Sequence, residues 1–404
     1  MNKFVATGSS IALETPVIGR ITRSPLRDEN SRTEHVLVAT NTPIHHDDMR
    51  GYGAILTADS TESLPPGKEP FPPIVHSLQK LENFCEGDVV VVRPGRGKTG
   101  PSTVRAIYCI NSRFSNLLLT EQCNSRCLMC SQPPKVEDDS YLVDEALKVI
   151  KLINKDAEVL GMTGGEPTLL KDRFFSLIQA CRDNLPKTYL HVLTNGRFFV
   201  YKDFARKLAE IGHPDLMLGI PIYSDIADEH DYVVQAKGAF EQTLKGIYNL
   251  GSYGVNVEVR VVIHALTYER LPQLARFIFQ NLPFVRHIAL MGLEITGYTK
   301  KNLKELWIDP YDYQAQLVEA VEFLADRGMN VSVYNHQLCV IPKSIWSYAR
   351  QSISDWKNIY LDECQPCAVL KKCGGLFKSA ENVHSSHIRA FREGPALATA
   401  QASL

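Results

Sequence analysis

The spacing of apolar residues changes character near Asn116. Before it, apolar positions fall in short β-branched or alternating runs, His35 to Thr40, Asp88 to Val92 and Val104 to Ile110, separated by turn-forming residues. Period-two runs bounded by Gly and Pro predict strands, so residues 1–115 are expected to form a β-rich domain. Its strand edges are expected to accept an extended peptide as an added strand. Ser60 to Pro73 carries the Pro and Gly of a surface loop. Arg93 to Gly100 (RPGRGKTG) superficially resembles a phosphate loop, but it lacks GxxxxGK[ST] and no helix pattern follows, so a hairpin-like turn is expected.

From Asn116 two periods alternate. Strand-like runs are Leu117 to Thr120, Glu158 to Thr163, Tyr189 to Thr194, Leu216 to Ile222, Val255 to Ile263 and His287 to Leu290. Helical stripes lie between them: Leu142, Ala146, Val149 and Ile150; Phe174, Leu177, Ile178 and Cys181; Phe204, Leu208 and Ile211, closed by Gly212. Phe240, Leu244 and Ile247 run to Gly251 in the same way; Leu274 and Ile278 follow Pro272; Leu317, Val321 and Leu324 run to Gly328. This alternation predicts the α/β class, with a partial (β/α)6 TIM-type barrel over residues 116–329. Residues 330–392 show no period but hold Trp346, Trp356 and four cysteines, which suits a C-terminal cluster-binding extension cross-linked by metal. Residues 393–404 read as a flexible tail.

Composition narrows the function. At 404 residues, with 44% hydrophobic and 22% charged, the chain suits two or three globular domains and excludes collagen-like or wholly disordered readings. A net charge of -1 provides no basic excess, so no nucleic-acid partner is expected. No run reaches the ~18 apolar residues of a membrane span, and Met1 to Arg27 shows no apolar signal core, so no membrane partner and a cytoplasmic location are expected. In that compartment clustered thiols serve metals or catalysis rather than disulfides. Cys85, Cys109 and Cys181 are isolated and read as core.

Cys123, Cys127 and Cys130 form CxxxCxxC directly after the first barrel strand. Such a loop bends three thiolates round one centre, and soft thiolates select iron-sulfur clusters or zinc. No fourth Cys or His lies nearby to close a zinc site, so an open iron is expected. Gly164, Gly165, Glu166 and Pro167 follow the second strand. The glycines permit close backbone approach and the carboxylate can accept from an ammonium, although a plain turn would use the same residues. Asn195 and Ser224, after strands three and four, fall where barrel enzymes place chemistry or where turns form. Arg260, inside an apolar strand, needs an anionic partner, either a ligand or a structural ion pair. Cys339, Cys364, Cys367 and Cys373 can close a second site, with His336 an alternative zinc ligand.

CxxxCxxC after strand one with GGEP after strand two resembles the radical S-adenosylmethionine (SAM) superfamily. The resemblance implies that Cys123, Cys127 and Cys130 hold a [4Fe-4S] cluster whose free iron chelates SAM. It also implies that Gly164, Gly165 and Glu166 line the SAM site, with Asn195, Ser224 and Arg260 toward the ribose and carboxylate. The family commonly has an aromatic residue where this chain has Met129, which puts the adenine contact in doubt. Cys339, Cys364, Cys367 and Cys373 resemble the SPASM/twitch extensions and imply a second, auxiliary [4Fe-4S] cluster. The blocks LLLTEQCNSRCLMCSQPPK and DECQPCAVLKKCGGLF, with NVHSSHI beyond, resemble the radical SAM maturase of His-Xaa-Ser repeat peptide systems. That implies a peptide substrate, a reducing donor such as a flavodoxin or ferredoxin, and a companion maturase. A small-molecule or cofactor-building radical SAM enzyme, and a non-catalytic zinc or iron-sulfur module, stand as alternatives.

Overall fold

The computed structural model describes residues 5–39, 46–60, 72–95, 97, 100–351 and 358–392. Thr40, most of the Ser60 to Pro73 loop, three residues of the RPGRGKTG tip, Trp356 and the 393–404 tail lie outside the described residues.

Seven strands make the N-terminal domain: β1 (Val5–Ile11), β2 (Val17–Thr22), β3 (His35–Ala39), β4 (Ala54–Thr57), β5 (Ile74–His76), β6 (Val89–Arg93) and β7 (Ser102–Tyr108), with short helices α1 (Glu29–Arg32) and α2 (His46–Met49). They close into a barrel in the order β1-β5-β4-β3-β2-β6-β7. Ile21, Val36, Val38, Leu56, Val75, Val90, Val92 and Val104 fill it, the alternate positions of their strands. Closure corrects the expectation of open strand edges, because each of these strands is paired on both sides and none can accept a peptide as an eighth. At the base of the RPGRGKTG turn the chain crosses itself so closely that a Cβ on Gly95 would stand 1.8 Å from the Gly100 carbonyl oxygen.

The second sheet is wholly parallel and runs in chain order: β8 (Phe114–Leu118), β9 (Val159–Thr163), β10 (Tyr189–Leu193), β11 (Leu216–Pro221), β12 (Asn256–Ile263), β13 (His287–Gly292) and β14 (Val331–Tyr334). The crossovers carry α3 (Tyr141–Leu152), α4 (Asp172–Asn184), α5 (Lys202–Ile211), α6 (Ala227–Val234), α7 (Ala239–Ser252), α8 (Leu271–Asn281), α9 (Leu303–Leu306) and α10 (Gln314–Ala325). This is a partial TIM-type barrel with one strand more than the six expected. The seventh falls in the stretch assigned to the extension, since Val-Ser-Val-Tyr is too short to reveal a period. Outward residues such as Leu160, Val192, Leu218, Val259 and Leu290 pack against the helices in one continuous core.

Two glycines differ in role. Gly212 closes α5 at φ 65°, in the left-handed conformation expected of it. Gly251 instead stays inside α7, and the Phe284 ring lies 2.4 Å from where its Cβ would be, so it serves packing rather than termination. Helix α3 joins the two domains. Arg20 of β2 donates to the Leu152 carbonyl at 2.5 and 3.1 Å, and Arg93 pairs with Glu145 at 2.5 Å. Beyond β14, the extension is built from single helical turns and a small hairpin, β15 (Asn358–Ile359) with β16 (Leu376–Phe377).

Candidate active site

The loop after β8 carries Cys123, Cys127 and Cys130, all partly buried. Its own backbone is short of regular partners, so neighbouring elements hold it. The amides of Arg126 and Leu128 donate to the Val234 and Val233 carbonyls at the end of α6. On the other side the carbonyls of Leu128, Met129 and Cys130 accept from Asn302 Nδ2 (2.8 Å), Thr299 Oγ1 (3.2 Å) and the Tyr298 amide (2.8 Å). Arg197 donates to the Asn124 carbonyl at 2.7 Å and to Ser125 Oγ at 3.1 Å. Burial pushes the Cys123 thiol up to about 11 and the Cys127 thiol up to about 12, so neither ionises unaided. A bound metal reverses this, because a coordinated thiol is deprotonated outright.

The Gly164-Gly165 turn after β9 presses on that same loop. A Cβ on Gly164 would meet the Thr120 carbonyl oxygen at 2.4 Å, and one on Gly165 would meet that of Gln122 at 2.0 Å. The Gly165 and Glu166 amides complete the contact by donating to those two carbonyls.

The Glu166 carboxylate is fully buried. It accepts from the Thr168 amide (3.0 Å) and hydroxyl (2.5 Å), from Thr194 Oγ1 (2.6 Å) and from the Asn195 amide (2.6 Å). Oε1 takes three of these donors and Oε2 one, so the carboxylate staples the β9 turn to the β10 turn. Asn195 takes part twice, its Nδ2 donating to Asn124 Oδ1 at 2.6 Å and its Oδ1 accepting from the Arg197 amide at 3.1 Å. The Ser224 hydroxyl is buried and donates to Glu229 at 2.6 Å while accepting from the Ile226 amide, which is turn formation rather than an exposed ligand group. Arg260 already has an anion, Glu258, at 2.5 Å. Met129 is buried against Tyr223, Val233 and Leu306.

The second cysteine group also gathers. Cys339, Cys364, Cys367 and Cys373 line one cavity of about 330 Å³, with Tyr360, Arg389 and Phe391 on its walls. His336 does not join them. Its Nδ1 donates to the Tyr334 carbonyl at 2.7 Å and its Nε2 accepts from the Tyr313 hydroxyl at 2.8 Å, which removes it as a zinc ligand.

A larger cavity, about 630 Å³, opens between the C-terminal ends of β12, β13 and β14 and the extension. It shares Gln337, Gly375 and Leu376 with the four-cysteine cavity. On its other side Leu293 packs in the same apolar cluster as Met129 and Cys127. The cavity therefore lies between the two cysteine groups. Arg197, Thr299, Asn302 and this cavity carried no motif that sequence reading could have used, except that Arg197 directly follows the Asn195-Gly196 turn.

A parallel α/β barrel with a three-cysteine loop braced by a glycine pair defines a recognisable class. Residues 117–278 match the family model of the radical SAM superfamily, and the chain carries a radical SAM domain. Among curated relatives it is 27% identical over 157 residues to Fe-coproporphyrin III synthase of Methanosarcina barkeri, a match covering 38% of each chain. It is 27% identical over 235 residues to GTP 3′,8-cyclase of Campylobacter jejuni, covering 55% of this chain and 68% of that one. The crystal structure of Streptococcus suis SuiB bound to S-adenosylmethionine superposes with a TM-score of 0.46 at 17% identity, covering 62% of this chain and 55% of SuiB. No helix among the described residues is long and apolar enough to cross a membrane.

Proposed function

We propose that the chain is a radical SAM enzyme that modifies a peptide, with its catalytic cluster at Cys123, Cys127 and Cys130 and an auxiliary cluster at Cys339, Cys364, Cys367 and Cys373. The observation that carries the first part is the fit of Gly164 and Gly165 against the cysteine loop, which leaves no room for any side chain. A [4Fe-4S] cluster held by Cys123, Cys127 and Cys130 would supply the electron that splits SAM into methionine and a 5′-deoxyadenosyl radical. The chain's own residues bind and orient. The Gly164 and Gly165 carbonyls, which accept no hydrogen bond among the described residues, are acceptors for the SAM ammonium, beside Glu166 Oε2, which accepts one donor. Arg197 and Asn195 hold the loop, and the partly buried 630 Å³ cavity receives the substrate.

An auxiliary cluster is favoured over zinc at the second site because its thiols stand around a cavity. A ferredoxin or flavodoxin would supply the electrons. The peptide substrate rests on the resemblance of the two cysteine-bearing blocks to the maturase of His-Xaa-Ser repeat peptide systems. A small-molecule substrate is the second reading, favoured by the curated relatives, which are a GTP cyclase and a coproporphyrin synthase.

Two measurements test this. Anaerobically reconstituted protein is expected to hold about eight iron atoms and to form 5′-deoxyadenosine from SAM under reduction. Mass spectrometry of a peptide encoded beside the enzyme and co-expressed with it should show a modified product. Deoxyadenosine without any altered peptide would favour the small-molecule reading, and absence of deoxyadenosine would sink both.

A further inference from the structure

We infer that the 630 Å³ cavity selects a substrate side chain bearing a cation, an ammonium or guanidinium, and that Glu294 is its counter-ion. The inference rests on the radical SAM reading above and names the chemistry of the group its substrate places there. Glu294 is the one acidic residue lining the cavity among the described residues, and no Lys or Arg lines it. Among the described residues no cation pairs with Glu294 and no donor reaches its carboxylate. A partly buried carboxylate walled by Ile263, Leu293, Trp307 and Ile308 is costly unless a partner brings the opposite charge.

The other polar side chains keep acceptors free, beside the Trp307 indole N–H, which is a donor only. Asn335 uses its Nδ2 to donate to the Gly292 carbonyl at 3.2 Å, and Gln337 uses its Nε2 to donate to that of Gly375 at 2.8 Å, so each amide keeps its oxygen. His384 pairs through Nδ1 with the Ala380 carbonyl at 3.0 Å, which leaves Nε2 as the lone-pair nitrogen. Ser379 Oγ is buried without a partner. A cavity whose one charged residue is an anion, with several free acceptors around it, complements a group that has several N–H donors, a positive charge and no acceptor, which describes ammonium and guanidinium.

The test is calorimetric titration of the reconstituted full chain with Nα-acetyl-lysine methylamide, Nα-acetyl-arginine methylamide and the uncharged Nα-acetyl-norleucine methylamide. At least one cationic probe should bind about tenfold or more tighter than norleucine, the effect of one charge-assisted hydrogen bond. Glu294→Gln should erase that preference and Glu294→Asp should restore part of it. If Glu294→Gln does not fold, wild-type protein still decides the matter, since raising salt should weaken the cationic probe and not norleucine. Equal binding of all three probes, no binding of either cation, or a preference that survives Glu294→Gln overturns the inference. Deoxyadenosine formation by the wild-type protein is scored separately, because its absence would overturn the radical SAM reading while the probe selectivity stood on its own.

Discussion

A Cβ atom on Gly165 would lie 2.0 Å from the carbonyl oxygen of Gln122, the residue immediately before Cys123. The glycine pair and the cysteine loop are thus one packed unit, and neither can shift without the other. The Gly165 and Glu166 amides donate to Thr120 and Gln122, so the contact is hydrogen-bonded as well as close.

Gly165→Ala is expected to push the cysteine loop off its position, at the ~1–3 kcal/mol typical of overpacking. The backbone carbonyl cannot swing aside as a flexible side chain would. Iron bound at Cys123, Cys127 and Cys130 should fall while the far-UV circular dichroism stays barrel-like. A variant that binds iron and SAM as wild type would show that the close approach is not required.

The barrel interior holds a charge network that makes the fold acid-sensitive. Burial alone would raise the Glu258 carboxyl, yet His287 Nδ1 at 2.7 Å, His191 Nε2 less well aligned at 3.3 Å and Arg260 at 2.5 Å hold it well below its ordinary 4.5. A depressed folded value means that the stabilisation is present above pH 4.5 and is lost as pH falls below it. Glu258→Gln should therefore cost about 3–5 kcal/mol at pH 7, the usual cost of orphaning a buried partner, and less by up to about 1.4 kcal/mol for each pH unit below 4.5, a difference read at pH 3. Urea unfolding at both pH values checks this. A penalty equal at both would assign the effect to packing instead.

Much of this architecture was legible because strands and helices alternate with distinct periods, and because CxxxCxxC and GGEP sit at strand ends where chemistry gathers. The partnerships that the linear pattern hides share one physical origin. Arg260 reads as orphaned in VEVRVVIH, but its partner Glu258 is two positions away on the same strand face, as period two requires. Ser224 and Glu166 read equally as ligand or turn groups because their partners, Glu229, Thr194 and Asn195, come from turns whose folding the linear pattern does not show. Closure of the N-terminal barrel depends on β1 pairing with both β5 and β7, contacts set by topology rather than by any local run.

His264 yields a stabilising substitution. It is completely buried after β12, and neither ring nitrogen has a partner among the described residues. Burial lowers its pKa from 6.5 to about 4. Between those values the unfolded chain binds a proton that the folded chain does not, so stability declines as pH falls from 6.5 to 4. His264→Met should remove the unpaired atoms and stabilise the fold by about 1–3 kcal/mol at pH 7, with a larger gain at pH 5. Thermal unfolding at the two pH values measures it. Destabilisation at both would mean that His264 has a partner in solution, such as a bound ligand.

The two cysteine groups should separate by role. Replacing Cys123, Cys127 and Cys130 with Ala removes the ligands of the one cluster with an open iron, so deoxyadenosine formation and substrate modification should both vanish. Replacing Cys364 and Cys367 should act differently. Those thiols line a cavity that shares Gln337, Gly375 and Leu376 with the larger one, so a group bound there can order the substrate or take an electron from it but lies in a separate site from SAM. Such a variant should still form deoxyadenosine, uncoupled from product. Because the extension holds few regular elements, loss of its metal can also unfold it, and circular dichroism with about four remaining irons must be established first. A folded Cys364/Cys367 variant that modifies its substrate at the wild-type rate would make the second site dispensable and refute its place in the mechanism.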